Sequence, residues 1–376
     1  MNAPIRIAVL KERAPGETRV AATPETAKKF IGLGASVAVE AGAGASASIA
    51  DADYAAVGAE IVGTDAAKGA DIVLGVQGPD VAALAGANPG AWIVAGLDPF
   101  GQRGRVDAYA GAGYEALAME FMPRITRAQS MDILSSQSNL SGYKAVVAAA
   151  DEYGRAFPMM MTAAGTVSAA KCFVMGVGVA GLQAIATARR LGAQVSATDV
   201  RSATREQIMS LGAKPIFVES VAGIEGEGSG GYATEMSEEY QKAQAELVSS
   251  HIAKQDIVVT TALIPGRAAP RLISDAQIAT MKPGSVIFDL AVAQGGNVEG
   301  SVADQVVVKH GVKIMGYSNT PAHLAADASA LFSRNLFNFL SAFWDAGLGK
   351  PVLDEEIGDA IRLTQGGKVV NPRLLG

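Results

Sequence analysis

A glycine-rich turn between an apolar strand and a helix restricts the fold of this chain more than any other feature. The segment "KCFVMGVGVAGLQAIATARRLGAQVSATD" at 171–199 spaces Gly176, Gly178 and Gly181 as G-x-G-x-x-G. In such a turn the first glycine allows the tight bend, the second lets a pyrophosphate approach the backbone, and the third lets helix and strand pack closely. The N–H groups and the dipole at the helix N-terminus favour phosphate binding. The pattern predicts a dinucleotide-binding α/β unit.

An acidic residue at the end of the next strand indicates which dinucleotide binds. Asp199 lies 18 residues after Gly181. A carboxylate there accepts both ribose hydroxyls of NAD(H), whereas a 2′-phosphate would meet like-charge repulsion of about 1–4 kcal/mol at roughly 4 Å. Arg201 points the other way, since arginine can hold the 2′-phosphate of NADP(H). The alternative interpretation of Arg201 is a surface charge beside a helix. The sequence favours NAD(H) over NADP(H).

Short apolar runs alternate with helical segments along the rest of the chain. Runs typical of strands lie at 5–10, 36–40, 71–77, 91–97, 114–119, 171–178, 194–199, 215–218, 256–263 and 285–291. This alternation predicts parallel sheets wrapped by helices, and 376 residues exceed the usual limit of a single hydrophobic core. The predicted fold class is α/β, with two Rossmann-like doubly wound parallel-sheet domains and a cleft between them.

The domain boundaries are placed where the alternation breaks. A polar stretch at 123–140 is interpreted as a connector that leads into a helix at about 136–153, and an apolar helix opened by Pro321 is predicted within 321–344. We expect a first domain of 1–137 completed by about 320–376, and an NAD(H)-binding domain of 138–319. A glycine-rich segment at 219–231 has two open interpretations, a mobile lid and a disordered excursion.

Charge and composition exclude several classes of function. A net charge of −6 gives no electrostatic reason to expect nucleic acid or an anionic membrane surface as a partner. The single cysteine, Cys172, excludes an internal disulfide framework and fits a reducing compartment. No apolar run is long enough to cross a bilayer, and the N-terminus does not resemble a signal peptide. His251, His310 and His323 lack metal-ligand spacing, so we expect no metal.

Seven segments spread over almost the whole chain resemble one known family. They are "KERAPGETRVAATPE", "PRITRAQSMDILSSQSNLSGYKAV", "MMMTAAGT", "GVGVAGLQAIATARRLGA", "ATDVR", "TTALIPGR" and "MKPGSVIFDLA". The chain is similar to the family that contains alanine dehydrogenase and the NAD(H)-binding component of proton-translocating nicotinamide nucleotide transhydrogenase. The "RAQSMDILSSQSN" block resembles the transhydrogenase branch.

Three polar groups of the dehydrogenase branch have no counterpart in this sequence. Gln77 and Gly96 stand where a dehydrogenase would have a lysine and a histidine, and Ala293 replaces an acid. Reductive amination moves protons and needs positioned acids and bases, whereas direct hydride transfer between two nicotinamides requires placement and exclusion of water. The resemblance therefore favours a transhydrogenase. A free-standing NAD-dependent alanine or amino acid dehydrogenase and a non-catalytic nucleotide-binding regulator stay open as alternatives.

The resemblance also implies which residues form the site. Arg124 and Ser135 would hold the nicotinamide carboxamide, while Gln129 and Asp132 would reach the ribose of the second nucleotide; these four are the predicted catalytic residues. Their alternative role is a capping and salt-bridge network in the connector. Arg19 matches an arginine that binds substrate in the dehydrogenases, and we interpret it as structural here. The full predicted cofactor-binding set is Arg124, Ile125, Thr126, Gln129, Ser130, Met131, Asp132, Ser135, Gly176, Val177, Gly178, Val179, Gly181, Asp199, Val200, Arg201, Gly231, Tyr232 and Leu263.

Partners follow from the same resemblance. It implies a Si-specific/Re-specific, proton-translocating NAD(P)+ transhydrogenase, with NAD(H) on this chain and NADP(H) on a partner domain. Proton translocation would belong to separate transmembrane subunits. The expected location is cytoplasmic, peripheral on the inner membrane through those partners and without direct membrane insertion. Apolar helices near the chain ends favour a homodimer.

Overall fold

The chain divides into two compact units, each built around its own sheet. The computed structural model describes residues 4–218, 237–264 and 266–375. One unit comprises Met1–Gln137 with Ala322–Gly376, and the other comprises Ser138–Pro321. The predicted glycine-rich segment at 219–231, with Gly231 and Tyr232, lies outside the described residues.

The first unit contains a six-stranded parallel sheet. Its strands are β1 (Arg6–Val9), β2 (Ser36–Glu40), β3 (Glu60–Val62), β4 (Ile72–Gln77), β5 (Trp92–Gly96) and β6 (Glu115–Ala118), and the intervening helices are α1 (Pro24–Gly32), α2 (Asp51–Ala56) and α3 (Arg103–Gly111). The strand order is β3-β2-β1-β4-β5-β6, with every neighbouring pair parallel. The order reverses between β1 and β4, which is the topology of a doubly wound Rossmann sheet.

The second unit repeats this topology. Helix α4 (Ile133–Glu152), which begins in the first unit and continues into the second, precedes a hairpin and a seven-stranded sheet. The remaining elements are β7 (Met160–Thr162), β8 (Gly165–Val167), β9 (Lys171–Met175), α5 (Val179–Arg190), β10 (Gln194–Thr198), α6 (Thr204–Ser210), β11 (Lys214–Pro215), α7 (Glu238–Ile252), β12 (Ile257–Thr260), α8 (Asp275–Ile278), β13 (Val286–Asp289), β14 (Val307–Lys309) and β15 (Val312–Met315). The sheet order is β11-β10-β9-β12-β13-β15-β14, and only β14 runs antiparallel to its neighbour.

Both faces of the second sheet are covered. Cys172 and Val174 of β9 belong to one buried cluster, whereas Phe173 and Met175 of the same strand belong to another. Successive side chains of a strand point to opposite faces, so each face has its own hydrophobic layer. This explains why the strand reads as a continuous apolar run in the sequence.

The C-terminal segment returns to the first unit. Its elements are α9 (Ala325–Ala342), β16 (Trp344–Asp345), β17 (Lys350–Pro351), α10 (Glu355–Ile361), β18 (Thr364–Gln365) and β19 (Lys368–Val369). Phe332, Leu336 and Phe339 of α9 are buried in the same core as the strands of the first sheet. The prediction that Pro321 opens this helix is wrong, because Thr320–Leu324 forms a separate 3-10 turn and α9 starts at Ala325.

Two other predicted boundaries differ from the structure. Helix α4 begins at Ile133 rather than near 136, because the Asp132 carboxylate accepts the Ser135 N–H at 3.0 Å and caps the helix. The strand expected at 215–218 is reduced to the two residues of β11 at the sheet edge. None of the helices in the described ranges combines the length and hydrophobicity of a membrane-spanning helix.

Candidate dinucleotide site

The glycine turn joins β9 to α5 at the point where the strand order of the second sheet reverses. Gly176 has a φ of +99°, a conformation that residues with side chains rarely adopt. A Cβ on Gly176 would overlap the Thr261 hydroxyl, which donates to the Gly176 carbonyl oxygen at 3.1 Å. Gly176 therefore permits both the bend and the close approach of the chain that leaves β12.

Two further glycines let backbones pack at the start of α5. A Cβ on Gly181 would overlap the Gly176 carbonyl oxygen, so the third glycine of the motif brings helix and turn together. On α4, a Cβ on Gly142 would overlap the carbonyl oxygen of Ala180. The sequence prediction did not include Gly142, whose only signal is a small residue within a helical segment. These contacts fix the first turn of α5 from two sides.

Gly178 is different, because its missing side chain leaves open space. It is the N-cap residue of α5 with an extended backbone, at φ −79° and ψ −166°. A Cβ placed on it would meet no described atom within 4 Å other than those of its two neighbours in the chain. The first N–H groups of a helix have no partner within the helix, so the start of α5 offers donors beside this space. The arrangement fits a phosphate group that approaches the backbone.

Asp199 follows β10 directly and is buried. One carboxylate oxygen accepts the Val177 N–H at 2.7 Å and the Arg201 Nη2 at 2.9 Å. The other accepts the Arg201 backbone N–H and Nε, both at 2.9 Å. Arg201 is itself buried, so its interpretation as a surface charge is wrong. A carboxylate has about four acceptor positions, and the protein fills all four here.

The predicted residue Leu263 lies in the loop that follows β12. The first residue of this loop, Thr261, donates its backbone N–H to the Met175 carbonyl at 2.9 Å and its hydroxyl to Gly176. The loop therefore begins beside the glycine turn. The second unit contains the predicted residues Gly176, Val177, Gly178, Val179, Gly181, Asp199, Val200, Arg201 and Leu263. Hydrogen bonds from Val177 to Asp199 and from Thr261 to Gly176 bring the end of β10 and the start of the loop after β12 to the glycine turn.

Of the other predicted residues, those at 124–135 lie in the first unit, between β6 and the first turn of α4. Thr126–Met131 forms a 3-10 helix that leads into α4, and the same stretch of chain carries Arg124, Ile125, Gln129 and Ser130. Asp132 accepts the Ser135 N–H at 3.0 Å and the Ser135 hydroxyl at 2.5 Å. The predicted alternative, a capping network, is therefore present for these two residues. Arg124 and Gln129 are exposed, and Asp132 is half-buried.

This loop is held by residues that sequence analysis missed. Asn335 and Asn338, three residues apart on α9, both donate to the Ser130 carbonyl, at 2.8 and 3.1 Å. Arg127 forms ion pairs with Asp354 and Glu356 at the start of α10. The sequence offered one signal for this role, namely two asparagines on the same face of an otherwise apolar helix. The loop conformation depends on chain that lies about two hundred residues away.

The reversal point of the first sheet is filled by the protein's own polar side chains. Glu12 accepts the Val76 N–H at 2.6 Å and the Gln77 N–H at 3.4 Å. Burial raises the pKa of Glu12 to about 7, against the effect of these two donors. Gln77 donates its side-chain amide to Glu17 at 2.8 Å. Gln77, which stands where a dehydrogenase would have a lysine, is thus part of a largely buried hydrogen-bond network.

Arg19 belongs to the same network. Its Nε and Nη2 donate to the two carboxylate oxygens of Glu17 at 2.7 and 2.6 Å, and its Nη1 donates to Gln137 at 2.9 Å. Burial acts to raise the pKa of Glu17, but the hydrogen bonds and charge of Arg19 hold it below its usual range. All three guanidinium nitrogens are engaged within the unit, which supports the structural interpretation of Arg19.

No metal site is evident in the described ranges. Among those residues, no three His, Cys, Asp or Glu side chains gather into a group that could hold a metal ion. His251 contacts Ser196 at 2.8 Å, and burial and two nearby lysines lower its pKa. His310 pairs with Asp275 on the surface.

The fold and the glycine turn define the class of this protein. It has two doubly wound α/β units of Rossmann type, one of which carries a dinucleotide-type turn at its strand reversal. Residues 8–141 match the N-terminal domain of the alanine dehydrogenase/PNT family, and residues 145–372 match its C-terminal domain. The chain belongs to this family.

Similar proteins cover nearly the full chain. It is 53% identical to the first segment of NAD(P) transhydrogenase subunit alpha of Rhodospirillum rubrum, over 99% of this chain and 99% of that one. The crystal structure of transhydrogenase from Sinorhizobium meliloti matches with a TM-score of 0.88 at 53% identity, covering 97% of this chain and 100% of that one. An L-alanine dehydrogenase structure shares the fold, with a TM-score of 0.80 at 24% identity over 98% of both chains. The predicted family and α/β fold class are confirmed.

Proposed function

We propose that this chain is the NAD(H)-binding component of a proton-translocating transhydrogenase. NAD(H) binds the second unit, NADP(H) binds a partner domain, and separate membrane subunits translocate protons. The observation that carries the nucleotide assignment is the open space at Gly178 on the N-terminus of α5, with Asp199 at the end of β10. The name of the Rhodospirillum rubrum relative, an NAD(P) transhydrogenase subunit alpha, supports the reaction.

The residues present suit NAD(H) rather than a phosphorylated dinucleotide. The start of α5 would hold the pyrophosphate through backbone N–H groups. Asp199 would accept the ribose hydroxyls in exchange for bonds that Arg201 now makes to it. Its negative charge opposes a 2′-phosphate. Val177, Val179, Val200 and Leu263 would line the nucleotide.

The proposed reaction needs placement rather than proton transfer. NADH, when bound, supplies a hydride at the C4 atom of its nicotinamide. Arg124 and Ser135 would hold the carboxamide, and Gln129 and Asp132 would contact the second nucleotide. In the first unit, Gln77 provides no proton-transfer group, because a carboxamide does not titrate near neutral pH, and its amide donates to Glu17. This supports a transhydrogenase over a free-standing amino acid dehydrogenase.

Mixing experiments test the proposed function. The purified chain is combined with an isolated NADP(H)-binding domain and with NADH and an NADP+ analogue whose reduction changes its absorbance. We expect rapid reduction of the analogue only when both proteins are present. Turnover of pyruvate, ammonium and NADH by this chain alone would establish the dehydrogenase instead. Binding of NADH with neither reaction would favour the nucleotide-binding regulator.

Replacement of Asp132 should damage exchange with the partner more than NADH binding. For Asp132→Asn we expect hydride exchange to fall by about tenfold or more, since a charge-assisted hydrogen bond contributes about 1.5–3 kcal/mol. NADH affinity, measured by fluorescence titration, should stay within about twofold.

A second Asp132 variant separates catalysis from helix capping. Asp132→Ser keeps an oxygen that can cap α4 but removes the carboxylate. It should lose exchange as Asp132→Asn does. Full exchange in either variant, or equal losses of exchange and affinity, would leave Asp132 as a helix cap only.

We further propose that the chain forms a homodimer. The β7–β8 hairpin carries three consecutive exposed methionines, Met159, Met160 and Met161, with 63%, 43% and 79% of their surfaces exposed. An exposed apolar cluster of this kind is typical of an interaction surface.

A double substitution in the hairpin tests the homodimer. Met160→Glu/Met161→Glu should shift the mass measured by light scattering from two chains to one. Met209→Glu, at an exposed methionine on α6, is the control. A one-chain mass for the unmodified protein would contradict the proposal.

The location also follows as a proposal. A component that binds NAD(H) and docks on membrane subunits would be cytoplasmic and peripheral on the inner membrane. The negative net charge of −6 favours attachment through protein partners over direct binding to anionic lipid.

A further inference from the structure

Asn297 is a fully buried asparagine whose side chain binds the loop after β12. Its Oδ1 accepts the Ala262 N–H at 3.1 Å, and its Nδ2 donates to the Ala262 carbonyl at 2.9 Å. The second Nδ2 hydrogen is donated to the Pro270 carbonyl at 2.8 Å. One side chain thus pairs both backbone groups of a single residue, as a neighbouring strand would.

The position of Ala262 explains why this pairing matters. Up to Thr261 the chain is paired within the sheet, since the Thr261 N–H donates to Met175 at 2.9 Å and the Leu290 N–H donates to Thr260 at 2.9 Å. Ala262 is the next residue, and its N–H and carbonyl bond to Asn297 instead of a strand. Asn297 therefore extends the β12 pairing by one residue beyond the end of the strand.

Thr261 connects Ala262 to the glycine turn. Its hydroxyl donates to the Gly176 carbonyl oxygen at 3.1 Å, and that oxygen is also where a Cβ on Gly181 would overlap. A shift of Thr261 would move the group against which Gly176 and Gly181 pack. Leu263, a predicted wall of the nucleotide site, follows Ala262 directly.

Asn297 is itself held firmly by the second unit. Its carbonyl oxygen accepts the Leu272 and Ile273 N–H groups, at 2.8 and 3.1 Å. The next residue, Val298, donates its N–H to the buried carboxylate of Asp289 at 3.2 Å. A rigidly mounted amide of this kind can fix the loop that it binds, because a shift of the loop would leave buried polar groups without partners.

We propose that Asn297 is a positioning residue for dinucleotide binding. It fixes Ala262, and through Thr261 it holds the Gly176 turn in the shape that receives the pyrophosphate. The proposal rests on the proposed function of the second unit as the NAD(H) site. Asn297 does not touch the nucleotide in this account; it acts through the backbone of the loop.

An isosteric substitution with a matched control tests this role. Asn297→Asp keeps the shape but turns both donated hydrogen bonds into contacts between oxygens. Asn371→Asp makes the same change at a buried asparagine of the first unit, whose Nδ2 donates to the Ala360 and Arg362 carbonyls at 3.1 and 3.0 Å. Both variants should lower the melting temperature. Only Asn297→Asp should weaken NADH binding, by about tenfold or more in a fluorescence titration.

Thr261 variants separate positioning from a general loss of stability. Thr261→Val removes the hydroxyl and should weaken NADH at least about fivefold, whereas Thr261→Ser keeps it and should bind normally. In the double variant with Asn297→Asp the loss should be smaller than the product of the two single losses, because both act on one turn. A multiplicative loss would mean that the two residues act independently and would overturn the proposal.

The outcomes distinguish this inference from the proposed function. If the unmodified chain fails to bind NADH, the proposed function is wrong. If it binds NADH and Asn297→Asp binds within about twofold of it, the positioning role is wrong. Should Asn297→Asp not fold, Thr261→Val carries the test, and an unchanged affinity in that variant overturns the inference.

Discussion

Gly178→Ala is expected to fold normally and to bind NADH about tenfold to a hundredfold more weakly. An added Cβ meets no described atom within 4 Å beyond its two chain neighbours, and the φ of −79° is allowed for alanine. Reduced backbone freedom of the unfolded chain stabilises the variant by about 0.4–1 kcal/mol, and this offsets the poorer N-cap that alanine provides, so the melting temperature should change little. The new methyl would project into the space proposed for the pyrophosphate, where steric conflict costs about 1–3 kcal/mol. Titration with NADH and a thermal melt measure the two effects.

Two other glycine variants make this result specific. Gly104→Ala, on α3 of the first unit, also places its Cβ more than 4 Å from any described atom outside its own helix and its two chain neighbours, and it should leave NADH affinity unchanged. Gly181→Ala drives a Cβ into the Gly176 carbonyl and should lower both stability and affinity. NADH binding by Gly178→Ala at the level of the unmodified protein would show that no ligand approaches the turn.

Asp199→Asn is expected to weaken NADH binding by about tenfold to 150-fold and to reduce the preference for NADH over NADPH. Hydrogen bonds to a charged group contribute about 1.5–3 kcal/mol, and the substitution removes the charge that opposes a 2′-phosphate. The ratio of the two dissociation constants, measured under identical salt conditions, is the informative quantity. Salt must be fixed because it screens the charge on the phosphate.

Asp256→Asn provides a control, because Asp256 binds the first residue of β9 whereas Asp199 binds Val177 just beyond the other end of that strand. Asp256 is buried and accepts the Lys171 N–H at 2.8 Å, much as Asp199 accepts the Val177 N–H at 2.7 Å. Its replacement should lower stability without changing the NADH to NADPH ratio. If Asp199→Asn changes only stability and leaves the ratio intact, Asp199 is a structural residue that holds Val177 and Arg201.

Local sequence patterns were sufficient for the architecture. The alternation of apolar runs and helices predicts two parallel sheets, and the doubly wound order is confirmed in both units. Strands buried on both faces, such as β9, read as continuous apolar runs and are easy to place. Helix starts were less predictable, since the cap at Asp132 and the 3-10 turn before Ala325 depend on hydrogen bonds that a spacing pattern does not encode.

Among the site residues, too, some features follow from local sequence and others depend on tertiary contacts. The bend at Gly176, the close packing at Gly181 and the open position at Gly178 follow from a motif within six residues. The buried ion pair between Arg201 and Asp199 could not be predicted from the motif, because it depends on the burial that the tertiary fold creates.

Residues that support the site from a distance were not predicted. Asn335 and Asn338 bind a carbonyl about two hundred residues earlier in the chain, and Asn297 binds a loop 35 residues before it. Such contacts arise only when distant segments fold together, and an asparagine in a helix or loop has no pattern that names its partner. The structural environment, rather than residue type, identifies them.

Isotope transfer tests the central claim most directly. NADH carrying deuterium at the transferred C4 position is mixed with this chain, the NADP(H)-binding partner and NADP+, and the products are analysed by mass spectrometry. Direct transfer without a proton relay predicts that the deuterium appears in NADPH and that none is released to water. Deuterium in alanine formed by this chain alone, or loss of the label to solvent, would contradict the account.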